Sequence, residues 1–305
     1  MSRFLLCVGL LLLQAFPAIA QQADYQDIPL YQFQDMQPVT LGEIAADKPM
    51  YLKLWATWCK PCMEQMAHFA KMHQQYGEQV NFVAVNININ ENSDAISDVI
   101  NEFALKMPVL LDNEGQLGSA LGLIGTPYSV LTNAKGEVVY TSHESDSNLD
   151  RIVSMLAQGQ KLPASQVKVL SAEEKQQVLK PWVQGEHLLF FTATWCDWYL
   201  ADTRPDMALA CKQAQEGLNT LAAQLPDQSW QGVVNHLWTD DKALSDFNQL
   251  YQMQVPFSID TAGVLFNEYK ISSIPTLVKI KDGEVVVKIT DFSSPEAVIR
   301  QLTEQ

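Results

Sequence analysis

The chain has 305 residues, of which 35 are acidic and 20 are basic, so its net charge is −15 at pH 7. This excess of negative charge argues against nucleic acid or anionic lipid as a partner. The length predicts two domains, and 47% hydrophobic residues are enough to give each domain its own core. Five cysteines are too few for a dense disulfide framework, which makes them better candidates for chemistry.

The N-terminal segment has the features of a secretory signal peptide. Arg3 precedes an apolar run over residues 4–13, and a small-residue cleavage motif ends at Ala20. The run is shorter than the roughly 20 residues that span a bilayer, so a membrane anchor fits less well. Cys7 lies inside the run, which does not fit a lipoprotein anchor. We predict that residues 1–20 are removed and that the mature protein is periplasmic, without stable membrane insertion.

Strand-like and helix-like segments alternate along the first half of the chain, which is typical of an α/β domain with helices on both faces of a central sheet. The pattern predicts strands near residues 50–57, 80–87, 108–111, 128–132 and 137–141. It predicts the main helices near residues 60–76, 93–105 and 147–157. Residues 133–136 would join the last two strands as a hairpin turn.

Two cysteines lie at the junction of the first of these strands with the following helix. The sequence there is Trp58-Cys59-Lys60-Pro61-Cys62. A zinc site would need a second Cys or His pair at ligand spacing, and none follows. At a helix N-terminus the helix dipole and free backbone N–H groups favour a thiolate, so the position suits redox chemistry. An inert structural pair is the alternative.

Residues 54–62, Leu-Trp-Ala-Thr-Trp-Cys-Lys-Pro-Cys, resemble the thioredoxin superfamily, and within it the TlpA/ResA-type thiol–disulfide reductases. The resemblance covers about residues 28–157. It implies that Cys59 attacks a substrate disulfide and that Cys62 resolves the mixed disulfide. It also implies that Thr126-Pro127 is the cis-proline loop facing the dithiol, and that this loop and Trp58 bind substrate. An ordinary trans proline is the alternative for Pro127.

Three residues near the dithiol are candidates for tuning its chemistry. Pro61 resembles the more reducing members of the superfamily, and the charge of Lys60 favours the thiolate. Lys53 occupies the position where thioredoxin has a buried acid, and it can accept a proton if burial depresses its pKa. Alternatively, its amine reaches solvent. The chain departs from the TlpA/ResA pattern at Gln65, where those proteins commonly have glutamate, and at Ala67, where they have proline.

The second half repeats the first in degenerate form. Ala193-Thr-Trp-Cys196 repeats the segment that ends at Cys59, and Ile274-Pro275 repeats Thr126-Pro127, which makes Pro275 a second cis-proline candidate. The spacing places about 11 extra residues in this copy, near residues 197–205. We predict an α/β fold of two tandem thioredoxin-like domains, each with a central mixed sheet flanked by helices. The predicted bounds are residues 21–160 and 161–305, with a linker near residues 159–163 and a helix over residues 171–182.

The second copy lacks the resolving cysteine, and three interpretations of its cysteines remain. Cys196 and Cys211 can form a disulfide, either structural or redox-active. Alternatively, Cys196 remains a lone nucleophile, or both bind a soft metal together with His236. Trp198 and Tyr199, beside Trp195, either pack in the core or form a surface for peptides.

The resemblance implies an exported thiol–disulfide oxidoreductase that reduces or exchanges disulfides in other exported proteins. No Gly-x-Gly-x-x-Gly motif is present, so we expect no cofactor, and electrons would come from a membrane or soluble thiol donor. A disulfide isomerase or oxidase is one alternative. Another is a redox domain fused to a partner-binding module without chemistry of its own.

Overall fold

The computed structural model describes residues 25–304, so the predicted signal peptide lies outside the described residues. The α-helices are α1 Leu41–Ala45, α2 Lys60–Tyr76, α3 Ser93–Glu102, α4 Gln116–Ala120, α5 Ser147–Ala157, α6 Ala172–Leu179, α7 Pro205–Gln224, α8 Asp241–Leu250, α9 Val264–Glu268 and α10 Pro295–Thr303. The strands of the first half are β1 Leu30–Gln32, β2 Pro38–Val39, β3 Met50–Trp55, β4 Asn81–Asn86, β5 Val109–Leu111, β6 Tyr128–Thr132 and β7 Val138–Ser142. The strands of the second half are β8 Glu186–Thr192, β9 Trp230–Val234, β10 Phe257–Ile259, β11 Thr276–Lys281 and β12 Glu284–Ile289.

The first sheet has the strand order β2-β1-β5-β4-β3-β6-β7. Its interior strand β3 pairs in parallel with β4 and antiparallel with β6, and all six β3 residues are buried. A strand buried on both faces needs a continuous apolar run, which β3 has except at Lys53. Two short strands at one side of the sheet, β1 and the edge strand β2, were not predicted.

The second sheet has the order β10-β9-β8-β11-β12, with β8 in the place of β3. Strand β8 pairs in parallel with β9 and antiparallel with β11, as β3 does with β4 and β6. The predicted α/β fold with two mixed sheets flanked by helices is confirmed. The predicted helix over residues 171–182 is present as α6 followed by a 3-10 turn.

The extra residues of the second half lie between Cys196 and α7. Helix α2 begins directly after Cys59, whereas α7 begins only at Pro205. Residues 197–204 therefore form a loop of turns, which we call the covering loop because it lies over the first half. It contacts that half through Tyr199 and Arg204.

The two halves pack against each other through equivalent loops. The backbone N–H of Asn90 donates to the carbonyl of Ser272, and the N–H of Trp238 donates to the carbonyl of Ile124. These residues correspond in the repeat, so the contacts are reciprocal, and the loops that carry the two cysteine motifs face each other. Within residues 25–304, no helix is both long and apolar enough to cross a membrane.

Candidate active site

The two motif cysteines begin helix α2. Cys59 is its N-cap, Pro61 lies in its first turn, and Cys62 is the third helical residue. The sulfur of Cys59 accepts a hydrogen bond from the backbone N–H of Cys62 at 3.2 Å. The two sulfurs form a disulfide, with Cα atoms 5.2 Å apart. This N–H donor and the positive end of a 17-residue helix are what would stabilise a thiolate on Cys59.

The Thr126-Pro127 peptide bond is cis, and this loop lies beside the dithiol turn. Pro61 and Thr126 line the same cavity. The ring Nδ1 of His143 lies 2.9 Å from the Pro127 carbonyl and holds the loop from the other side. The Thr126 hydroxyl is buried and has no protein hydrogen-bond partner.

Lys53 is fully buried on β3, so the interpretation that its amine reaches solvent is wrong. Its Nζ donates to Gln65 Oε1 at 2.5 Å and to Ser129 Oγ at 3.1 Å. Burial lowers the pKa of Lys53 to about 7, and the charge of Glu144 offsets part of that change. Gln65, where the related proteins commonly have an acid, here accepts a hydrogen bond from buried Lys53. Gln65 lies one helical turn after Cys62 on α2.

An acidic residue that sequence reasoning missed supports the strand end before the dithiol. Glu91 accepts hydrogen bonds from the backbone N–H of Thr57 at 2.6 Å and from the amide of Asn86 at 2.9 Å. Arg204 of the covering loop donates to the hydroxyl of Thr57 at 2.7 Å. Burial raises the pKa of Glu91, while these hydrogen bonds and the charge of Arg204 offset part of the rise. Glu91 and Arg204 lie in different halves of the chain, so no sequence motif predicts that they come close together.

The cysteines of the second half are joined in a disulfide, with Cα atoms 6.0 Å apart. Cys196 and Cys211 are both fully buried. This bond excludes the lone-nucleophile interpretation for the structure described. The ring Nε2 of His236 lies 2.9 Å from the Leu123 carbonyl. Among the described residues, His236 and the two cysteines are not grouped so that they could hold a metal ion.

The second proline candidate also has a cis bond, between Ile274 and Pro275. Here both backbone polar groups of Ile274 already form hydrogen bonds. Its N–H donates to Asn90 Oδ1 at 2.7 Å, and its carbonyl accepts from Asn90 Nδ2 at 3.1 Å. An extended chain could not pair with this loop without displacing Asn90.

Aromatic residues of the second half cover the dithiol. Trp58 packs against Trp195 and Trp238, with ring centroids 5.1 and 5.8 Å apart, and Tyr199 lies on its edge. The hydroxyl of Tyr199 accepts a hydrogen bond from the Lys60 backbone N–H at 3.3 Å. We call these four rings the aromatic cluster.

The cover leaves little of the dithiol accessible. Cys59 is 1% exposed, Cys62 is fully buried and Trp58 is buried as well, whereas the Lys60 residue is exposed. Another protein could contact the Cys59 sulfur or the Trp58 ring only if part of this cover moved.

Comparison with known proteins finds similarities over the first half of the chain. Residues 14–156 match the Redoxin family model. Over 93 residues the chain is 31% identical to the thiol-disulfide oxidoreductase ResA of Bacillus thuringiensis subsp. konkukian, covering 30% of this chain and 53% of that protein. Over 92 residues it is 33% identical to the sporulation thiol-disulfide oxidoreductase A of Bacillus subtilis, covering 30% and 56%. The chain thus spans about half the length of these relatives.

Among solved structures, StoA from Bacillus subtilis aligns with a TM-score of 0.36 and 24% identity, covering 41% of this chain and 92% of that chain. The ResA protein of Bacillus anthracis is 28% identical over 136 residues, covering 43% of this chain and 77% of that protein. The first half of this chain is thus similar to the Redoxin family and to the ResA-type thiol-disulfide oxidoreductases.

Proposed function

We propose that this protein is an exported, periplasmic thiol–disulfide oxidoreductase and that Cys59 and Cys62 are its redox couple. The observation that carries the proposal is a cysteine pair at the N-terminus of α2, beside a cis-proline loop. We also propose the domain division at residues 21–160 and 161–305, with the chemistry in the first domain.

In the reducing direction, the Cys59 thiolate attacks one sulfur of a substrate disulfide. The substrate S–S bond breaks, its other sulfur leaves as a thiolate, and a mixed disulfide with Cys59 forms. The Cys62 thiolate then attacks the Cys59 sulfur and releases the second substrate sulfur as a thiolate. Two electrons have passed to the substrate, and the protein is left with the Cys59–Cys62 disulfide. A membrane or soluble thiol donor would reduce it again.

Lys53 is the proposed proton acceptor for Cys62. An amine with a pKa of about 7 is partly neutral at neutral pH, and a neutral amine can take the thiol proton. Gln65 holds this amine on the helix face that carries Cys62. Lys60 and Pro61 are proposed to tune the couple, Lys60 through its charge and Pro61 by removing a backbone donor from the turn.

Trp58, Thr126 and Pro127 are proposed to bind substrate. An extended polypeptide can add to the Thr126 backbone as a further strand, which brings its disulfide to the dithiol. The partners would be exported proteins that contain disulfides. Pro275 would have no equivalent role, because Asn90 occupies the loop that contains it.

The test is disulfide exchange by the purified mature protein. Cys59→Ser should abolish reduction of a model protein disulfide, whereas Cys62→Ser should accumulate the mixed disulfide on Cys59, visible by non-reducing electrophoresis and mass spectrometry. Cys196→Ser with Cys211→Ser is the matched control, and it should retain exchange. Full activity of Cys59→Ser would rule out the proposal.

A second candidate role concerns the second half. Its disulfide is fully buried and its cis-proline loop is blocked, which favours partner binding over chemistry. Isomerase or oxidase activity stays an alternative for the whole protein, and refolding of a scrambled substrate would separate isomerisation from reduction.

A further inference from the structure

A cavity of about 270 Å³ lies between the two halves, beside the dithiol. The first half contributes Pro61 and Thr126 to its wall. The second half contributes aromatic rings only, from Trp195, Trp198, Tyr199 and Trp238. We propose that this cavity binds a large apolar or aromatic side chain of the substrate polypeptide, next to the substrate's cysteine. The inference rests on the proposed exchange at Cys59 and Cys62.

The size and chemistry of the cavity fit a side chain. Its volume lies just below the roughly 300–1,000 Å³ of pockets that enclose small ligands and cofactors. None of its lining residues is charged, and Thr126 has its only aliphatic hydroxyl. Aromatic walls favour an aromatic occupant, which can meet them edge to face.

The two cis-proline loops differ in whether their backbone is free to bind another chain. At the second loop, the side chain of Asn90 bonds both the N–H and the carbonyl of Ile274. The residue that corresponds to Asn90 in the other half is Trp238, which has no amide group. Within residues 25–304, neither the backbone nor the hydroxyl of Thr126 has a protein hydrogen-bond partner. The backbone that would hold a substrate strand is therefore free where the cavity lies.

Trp238 is placed against the open loop by a glycine. A Cβ on Gly125 would lie 2.5 Å from the indole Nε1 of Trp238, so a larger residue would push the ring away. Trp238 is 43% exposed and Trp198 is 64% exposed, although both are large apolar side chains. Such exposure beside a reactive site is typical of a binding surface.

The test uses two synthetic disulfide-linked peptides that differ only in having phenylalanine or serine next to the cysteine. We expect kcat/KM for the phenylalanine peptide to be at least about tenfold higher, as for burial of a large apolar group. Trp198→Ala should reduce this preference to less than about threefold, and Trp198→Phe should keep most of it. Leu250→Ala removes an exposed side chain outside the cavity and should keep all of it.

Equal turnover of the two peptides by the native protein would overturn the inference and leave the exchange function standing. Full preference retained in Trp198→Ala, with a folded protein by circular dichroism, would also overturn it. If neither peptide is turned over and Cys59→Ser behaves like the native protein, the proposed function itself fails.

Discussion

Replacing Lys53 with methionine should change how the stability of the protein depends on pH. Lys53 has an ordinary pKa of 10.5 in the unfolded chain and a pKa of about 7 in the folded protein. Between these values the unfolded chain binds a proton that the folded protein does not. The free energy of unfolding of the native protein should therefore rise with pH in this window, by about 1.4 kcal/mol per unit from this group. Below pH 7, where Lys53 is protonated in both states, burial of its charge lowers the free energy of unfolding by about 5 kcal/mol.

Methionine has similar length and no charge, so the variant lacks this dependence. Its absolute stability also reflects the loss of hydrogen bonds to Gln65 and Ser129, which opposes the gain. The difference between variant and native protein isolates the titration, because other groups cancel. We expect that difference to favour the variant most below pH 7 and to fall by about 3 kcal/mol between pH 7.5 and 10.

The assay is urea unfolding of the oxidised protein across this pH range. Lys71→Met removes an exposed lysine from α2 and is the control for the loss of a lysine side chain. A pH-independent difference between Lys53→Met and the native protein would refute a depressed pKa at Lys53. The variant should also resolve the Cys59 mixed disulfide more slowly, because it lacks the amine that we propose as the proton acceptor for Cys62.

Two further predictions concern the covering loop. Cys196→Ser with Cys211→Ser should lower the free energy of unfolding by about 3 kcal/mol, as expected for a bond closing a loop of this length, measured by urea unfolding. An unchanged midpoint would show that the bond does not stabilise the fold. Arg204→Ala removes the bond to Thr57 and the cation near Glu91, so it should raise the alkylation rate of reduced Cys59 by about tenfold. An unchanged rate would show that this loop does not control access.

The sequence predicted the elements with strong local patterns. Helices α2 and α5 and strand β6 begin and end at the predicted residues, because capping residues and hydrophobic periodicity mark them. Strands β1 and β2 have three and two residues, too few for alternation to show.

The contacts that cover the dithiol could not be predicted from the sequence. The bond between Arg204 and Thr57 joins residues 147 positions apart, and the bond between Tyr199 and Lys60 joins residues 139 apart. No regular spacing of residues in the sequence predicts either contact. For a similar reason, the sequence could not decide whether Lys53 is buried, since its partner Ser129 comes from another strand.

The repeat indicated a second domain, but it did not predict that aromatic residues of this domain pack against the first. Trp195 was matched to Trp58, and the structure stacks the two against each other. Trp238 was not singled out, because a lone tryptophan after a strand has no local signature. Its place beside Gly125 depends on the packing of the two halves.

The central claim is that Cys59 and Cys62 form the redox couple while the second disulfide does not take part. The most direct measurement is a redox titration of the mature protein, quenched in acid, alkylated under denaturing conditions and read by mass spectrometry. We expect Cys59 and Cys62 to titrate between roughly −270 and −120 mV, and Cys196 and Cys211 to stay oxidised throughout. A Cys59–Cys62 disulfide that also stays oxidised below about −300 mV would mark a structural bond and contradict the account.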